Sequence, residues 1–155
     1  MKKLILLLFL MPSIANSLPN TINEYFIKNP SWKNEPSSQN FLSVRCFVIN
    51  KIALERIEGG APSSYDPSIK ELYKETLDLF SDFTVLTAQA ATVSTEALKE
   101  RALHWGTIYA EEAVSNWNNY NDMWHGDLGE DLMSCNQVVA PNINNFMNIM
   151  IEKNK

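Results

Sequence analysis

The stretch FLSVRCFVINKIALERIE, Phe41 to Glu58, decides the fold. Its valine and isoleucine content would suit a strand, but apolar and polar residues do not alternate with period two. At 100° per residue Phe41, Val48, Ile52, Ile49 and Cys46 fall on one broad face, so the stretch reads as an amphipathic helix. Gly59, Gly60 and Pro62 then form a helix stop. Arg45 and Arg56 lie on the same apolar face, and a charge there requires a partner.

The next segment begins with Asp66 as N-cap and Pro67 at the first helical position. Ile69, Leu72, Tyr73, Thr76, Leu77, Phe80, Phe83, Thr84 and Thr87 form its stripe. A tight turn is predicted over Thr92–Thr95, with Ser94 or Thr95 capping a third helix that runs from about Glu96 to Trp124. A fourth helix begins near Asp127 or Leu128. Leu128, Leu132, Cys135, Val139, Ile143, Phe146 and Met150 recur along it at helical spacing. Pro141 lies inside that pattern and predicts a kink near Val138–Ala140. The reading is therefore an all-α, four-helix up-down bundle over residues 41–155. It is preceded by an irregular N-terminal arm over 18–40, with a short turn near Ile22–Ile27.

Residues 1–17 read as a signal peptide: Lys2 and Lys3 precede an apolar run, Leu4 to Met11, and small residues follow. Cleavage after Ser17 is expected. The remaining chain carries eleven basic and eighteen acidic residues, net −7. No later stretch is apolar enough to predict a transmembrane segment. An acidic chain without a basic stripe disfavours nucleic acid as a partner. Cys46 and Cys135 are the only cysteines, and in an exported chain they predict one inter-helix disulfide. Cys46 early in the first helix and Cys135 early in the last meet awkwardly if those helices are antiparallel.

The richest chemistry lies in HWGTIYAEEAVSNWNNYNDMWHG, His104 to Gly126. With Trp105 at zero on a helical wheel, Tyr109, Glu112, Asn116, Trp117 and Tyr120 share its side, whereas His104 and His125 face away. The two histidines are about 31 Å apart along a straight helix at 1.5 Å per residue, so no metal site is expected. Trp105, Tyr109, Glu112, Asn116, Trp117 and Tyr120 form the candidate ligand surface, suited to a small polar ligand stacked on an aromatic ring. Glu112 is expected to pair with Arg45 or Arg56 inside the bundle. No nucleotide, hydrolase or zinc motif is present, and no catalytic residue or cofactor is assigned.

The functional expectation is a small exported bacterial protein, periplasmic or secreted and non-enzymatic, that binds a partner protein or small ligand in the cell envelope. Two alternatives remain at this stage. One is a haem-binding bundle using His125 with Met133 or Met147. The other is a hydrolase acting on glycans or cell-wall material, with Glu112 as the acid.

Overall fold

The computed structural model describes residues 19–59 and 67–153, apart from the side chains of 144 and 148–153. The expected signal peptide, Gly60, Pro62, the expected Asp66 cap and the Met150 side chain of the last stripe lie outside that description. Within it the chain is all-α. The helices are α1 (Ile22–Lys28), α2 (Pro36–Glu58), α3 (Pro67–Ala90), α4 (Thr95–Tyr120), α5 (Asp127–Ser134) and α6 (Ala140–Lys153). A 3₁₀ turn, Trp32–Asn34, precedes α2, and a π-helical segment, Cys135–Val139, joins α5 to α6.

The arm is more regular than its prolines suggest. Thr21 caps α1 by accepting the Glu24 N–H at 3.2 Å, and Glu24 and Lys28 place charge of the favourable sign at each end. So short a helix needs tertiary support. Ring stacking of Tyr25 on Phe41 and of Phe26 on Trp32 supplies part of it. Helix α2 starts at Pro36, five residues before the predicted Phe41, because proline at the first helical position has no N–H to leave unpaired. That earlier start puts Cys46 in the middle of α2. Cys135 sits about a third of the way along the continuous helical rod formed by α5, the π segment and α6, which is longer than α2. The expected mismatch of the two cysteines therefore vanishes, and the Cys46–Cys135 disulfide forms with a Cα–Cα distance of 5.3 Å.

Helix α2 is the central element, flanked by α3, α4 and the rod. Helix α3 is antiparallel to it. Glu58 at the end of α2 pairs with Lys70 near the start of α3 at 2.9 Å, and Asn40 near the start of α2 bonds Thr87 near the end of α3 at 3.3 Å. Helix α4 runs parallel to α2: Arg101 bonds Asn40 at 2.8 Å at one end, and Arg56 lies over the Trp117 ring at the other. The rod returns antiparallel, bringing Phe146 onto Trp32 and Phe83. Only the C-terminal half of the α3 stripe is deeply buried, through Phe80, Phe83, Thr87 and Ala88, while Leu72 is exposed.

Two boundaries differ from expectation for identifiable reasons. Helix α4 ends at Tyr120 and not Trp124, because Asn121 adopts the left-handed conformation (φ 54°) that caps a helix. The Ser94 cap at its other end is as predicted, accepting the Ala97 N–H at 3.2 Å. Pro141 is accommodated by the π segment, where the Ala140 N–H reaches back to the Cys135 carbonyl. The Asn142 side chain donates to the Val138 carbonyl at 2.6 Å just beside it. Gly126 and Gly129 shape the turn into α5. Gly126 has φ 63° and ψ −135°, and a Cβ on Gly129 would lie 2.2 Å from the Trp124 carbonyl oxygen.

The disulfide closes a loop spanning 89 positions of sequence. Chain-entropy arguments give such a crosslink about 4–5 kcal/mol. Urea unfolding with the bond intact and after reduction should differ by several kcal/mol. Equal midpoints would show that the helical contacts hold the unfolded chain in check without it.

Candidate functional site

The largest constellation of charged and aromatic side chains lies at the centre of the molecule. Arg45 on α2 and Asp131 on α5 are both 0% exposed and form an ion pair through Nη2 and Oδ2. Tyr109 from α4 completes a triangle. Its hydroxyl accepts from Arg45 Nε at 2.9 Å and donates to Asp131 Oδ2 at 2.7 Å. The arm supplies the remaining partners: Arg45 Nη1 donates to the Asn20 carbonyl at 2.9 Å, and the Ile22 N–H donates to Asp131 Oδ1 at 2.6 Å. The guanidinium lies 3.8 Å from the Trp105 ring centroid, with the Phe41 and Tyr109 rings farther out. Cation–π attraction therefore adds to the ion pair in a desolvated site.

Burial pushes the Asp131 carboxyl above the usual aspartate range, while Arg45 and its hydrogen-bond donors pull it down. Burial also drives the Tyr109 phenol well above its ordinary value, so its proton stays in place as the donor to Asp131. Every strong group in this centre is satisfied by another and none faces solvent. It is a structural junction of α1, α2, α4 and α5. A second polar cluster joins α2, α3 and α4 near one end. Asn40 donates to Thr87 and accepts from Arg101, and Ser43 shares a hydrogen with Thr87 at 3.3 Å.

The residues expected to form one ligand surface are divided. Trp105 and Tyr109 are buried in the junction. Asn116 is buried too. Its amide donates to the carbonyls of Met123 (3.2 Å) and His125 (2.9 Å), fastening the turn after α4, so it is committed to the backbone. Trp117 and Tyr120 are exposed, but Tyr120 stacks on His125 at 3.9 Å while Trp117 stands beside Arg56.

The expected pairing of Glu112 is corrected. Arg45 takes Asp131, because the disulfide one turn away holds the rod against α2 at that height. Arg56 takes the Trp117 ring. Among the described residues Glu112 has no hydrogen bond or ion pair. It is half-buried, and burial together with the nearby Asp127 raises its carboxyl above the ordinary range. Also among the described residues, no group of three His, Cys, Asp or Glu side chains is placed to hold a metal ion.

The accessible feature that sequence reasoning missed is a crevice of about 620 Å³ between α2 and α4. Phe47, Val48 and Ile52 form one wall; Ala102, Leu103 and Gly106 form the other. Gly106 faces Val48 across it, and an added Cβ there would lie 3.8 Å from the valine. Farther along the same two helices a smaller hollow is bounded by Arg56, Val114 and Trp117. Leu103, Val114 and Trp117 are 73%, 61% and 47% exposed, an unusual set for one helix face. The signal lies in the sequence as a second α4 stripe, Leu103, Thr107, Ala110 and Val114, which meets the aromatic stripe at Trp117.

Comparison with protein family models, with curated proteins and with solved structures finds no match to this chain.

The raised carboxyl of Glu112 yields a signed prediction. Below about pH 4, under the ordinary glutamate pKa of about 4.3, the group is protonated whether folded or not, and Glu112→Gln should leave stability unchanged. As the pH rises from that ordinary value to the elevated folded one, the unfolded chain ionises first and the native state loses relative stability, so the glutamine variant should be the more stable protein at pH 7. Thermal midpoints of both proteins across this range check it. A native protein more stable than the variant at neutral pH would reveal a favourable partner for the carboxylate.

Proposed function

We propose that this is an exported, non-enzymatic protein of the cell envelope that works by binding, and that its contact face is the crevice between α2 and α4. The observation that carries the reading is that crevice, with Leu103, Val114 and Trp117 exposed along it. A monomeric soluble protein rarely leaves so continuous an apolar strip in water without a use for it. The burial of Arg45, Tyr109 and Asp131 supports the same reading, since the strongest ionisable cluster is out of a substrate's reach. Export is supported by the Lys2–Lys3 start, the apolar run to Met11 and the small residues before Leu18. The Cys46–Cys135 bond suits an oxidising compartment such as the periplasm or the outside of the cell. No helix among the described residues is long and apolar enough to cross a membrane. A partner protein or a small ligand then meets the crevice from the aqueous side.

Two measurements test this reading. The mass of the protein recovered from the periplasm or medium should be that of a chain beginning at Leu18 with two hydrogens missing. Full-length protein retained in the cytoplasm would contradict it. A fluorescent apolar dye, anilinonaphthalene sulfonate, should bind dilute purified protein and lose affinity in Leu103→Glu. A native protein that leaves the dye dark would remove the crevice as the contact face.

A further inference from the structure

We infer that the occupant of the α2–α4 crevice is a second copy of this chain, packed antiparallel about a two-fold axis through Ala110. This deepens the binding role proposed above and rests on the same crevice. The exposed strip on α4 consists of Leu103, Thr107, Ala110, Val114 and Trp117. Its steps of four and three residues are the spacing of a helix-to-helix seam, the alternation that lets one helix insert side chains between those of another. The strip is also nearly symmetric about its centre. Leu103 and Trp117 lie one heptad on either side of Ala110. Turning a second α4 end for end about Ala110 sets each Leu103 against the other copy's Trp117 and Thr107 beside Val114. The small side chains at and near the centre, Ala110 and Gly106, permit close approach of the two helices.

A second observation points to nearly the same axis. Helices α2 and α4 are parallel, and Val48 faces Gly106. One turn farther along both helices, Ile52 is level with Ala110. The α2 rim of the crevice carries Lys51 just before that height and Glu55 just after it, both exposed and paired with each other at 3.9 Å. A two-fold axis near Ala110 sets the Lys51–Glu55 pair of each copy against the reversed pair of the other, so each lysine comes within reach of both glutamates. The charge pair is centred one residue beyond the level of Ala110, about 1.5 Å along the helix, so the two self-complementary features lie close to one axis, as an isologous interface requires. The arrangement has one opposing element: Glu111, which also borders the crevice, lies one residue past the axis and approaches its own symmetry mate.

The test uses the disulfide-bonded protein, whose two cysteines are bonded to each other, so an added cysteine is the sole free thiol. Sedimentation should show a dimer at micromolar concentration, weakened about tenfold or more by Leu103→Glu and strengthened by Glu111→Gln. Under mild oxidation Ala110→Cys should crosslink to a covalent dimer, because its thiol sits on the axis. Gln89→Cys, equally exposed on α3, should not. A protein that stays monomeric to high micromolar concentration overturns the inference. So does a dimer indifferent to Leu103→Glu, or one that crosslinks no faster at position 110 than at 89. If the monomer still binds the apolar dye through Leu103, the second copy fails as occupant while the binding role stands. If it binds no dye, both fall together.

Discussion

One buried cation organises the molecule. Arg45 carries its charge into the middle of α2 at 0% exposure, where an unpaired guanidinium would be prohibitive. It is tolerated because Asp131, Tyr109, the Asn20 carbonyl and the Trp105 face converge on it from four directions. Those groups come from α5, from α4 and from the arm. Satisfying one charge therefore fixes where α4, α5 and the arm must lie relative to α2. Apolar burial supplies the bulk of the driving force, but it is non-directional. The hydrogen-bonded junction specifies which of many apolar packings is adopted, and the disulfide one turn away holds the rod at the matching height.

Much of this architecture was legible in the residues, and the missing parts share a physical origin. The helix class of α2, the Pro67 start of α3, the Ser94 cap and the pairing of Cys46 with Cys135 follow from local periodicity, capping chemistry and counting. The partner of Arg45 did not, although a signal existed. Asp131 sits on the apolar stripe one turn before Cys135, and Arg45 directly precedes Cys46. Once the two cysteines are joined, the two charges must meet. Choosing Glu112 relied on a wheel for α4 alone, which says which face a residue occupies but not which neighbour covers that face. Prolines misled in the arm for a related reason: Pro36 begins a helix where a composition-based reading sees irregular chain. Asn116 likewise reads as a ligand group, whereas the chain uses it to hold the turn that follows the Asn121 cap of α4.

The same geometry separates the buried face of α4 from its free one. Trp105, Tyr109 and Asn116 point inward and are used up by structure, whereas Leu103, Val114 and Trp117 remain exposed beside α2. Because α4 packs chiefly on α2 and only lightly on α5, one flank of the pair stays open. The rod cannot close that flank. It is committed to the opposite side by the disulfide, by Asp131, and by Phe146 against Phe83 and Trp32. The π segment lets Pro141 sit inside the rod without ending it, which carries α6 far enough to make those ring contacts.

The central claim is that the Arg45 and Asp131 side chains act as one unit, and a double-mutant cycle measured by urea unfolding of the disulfide-bonded protein tests it most directly. Arg45→Met or Asp131→Leu alone leaves an uncompensated buried charge and should cost about 3–5 kcal/mol. Together they leave no charge behind, so the double variant should fall short of the summed costs by about 2 kcal/mol or more. Costs that simply add, within about 0.5 kcal/mol, would contradict the account.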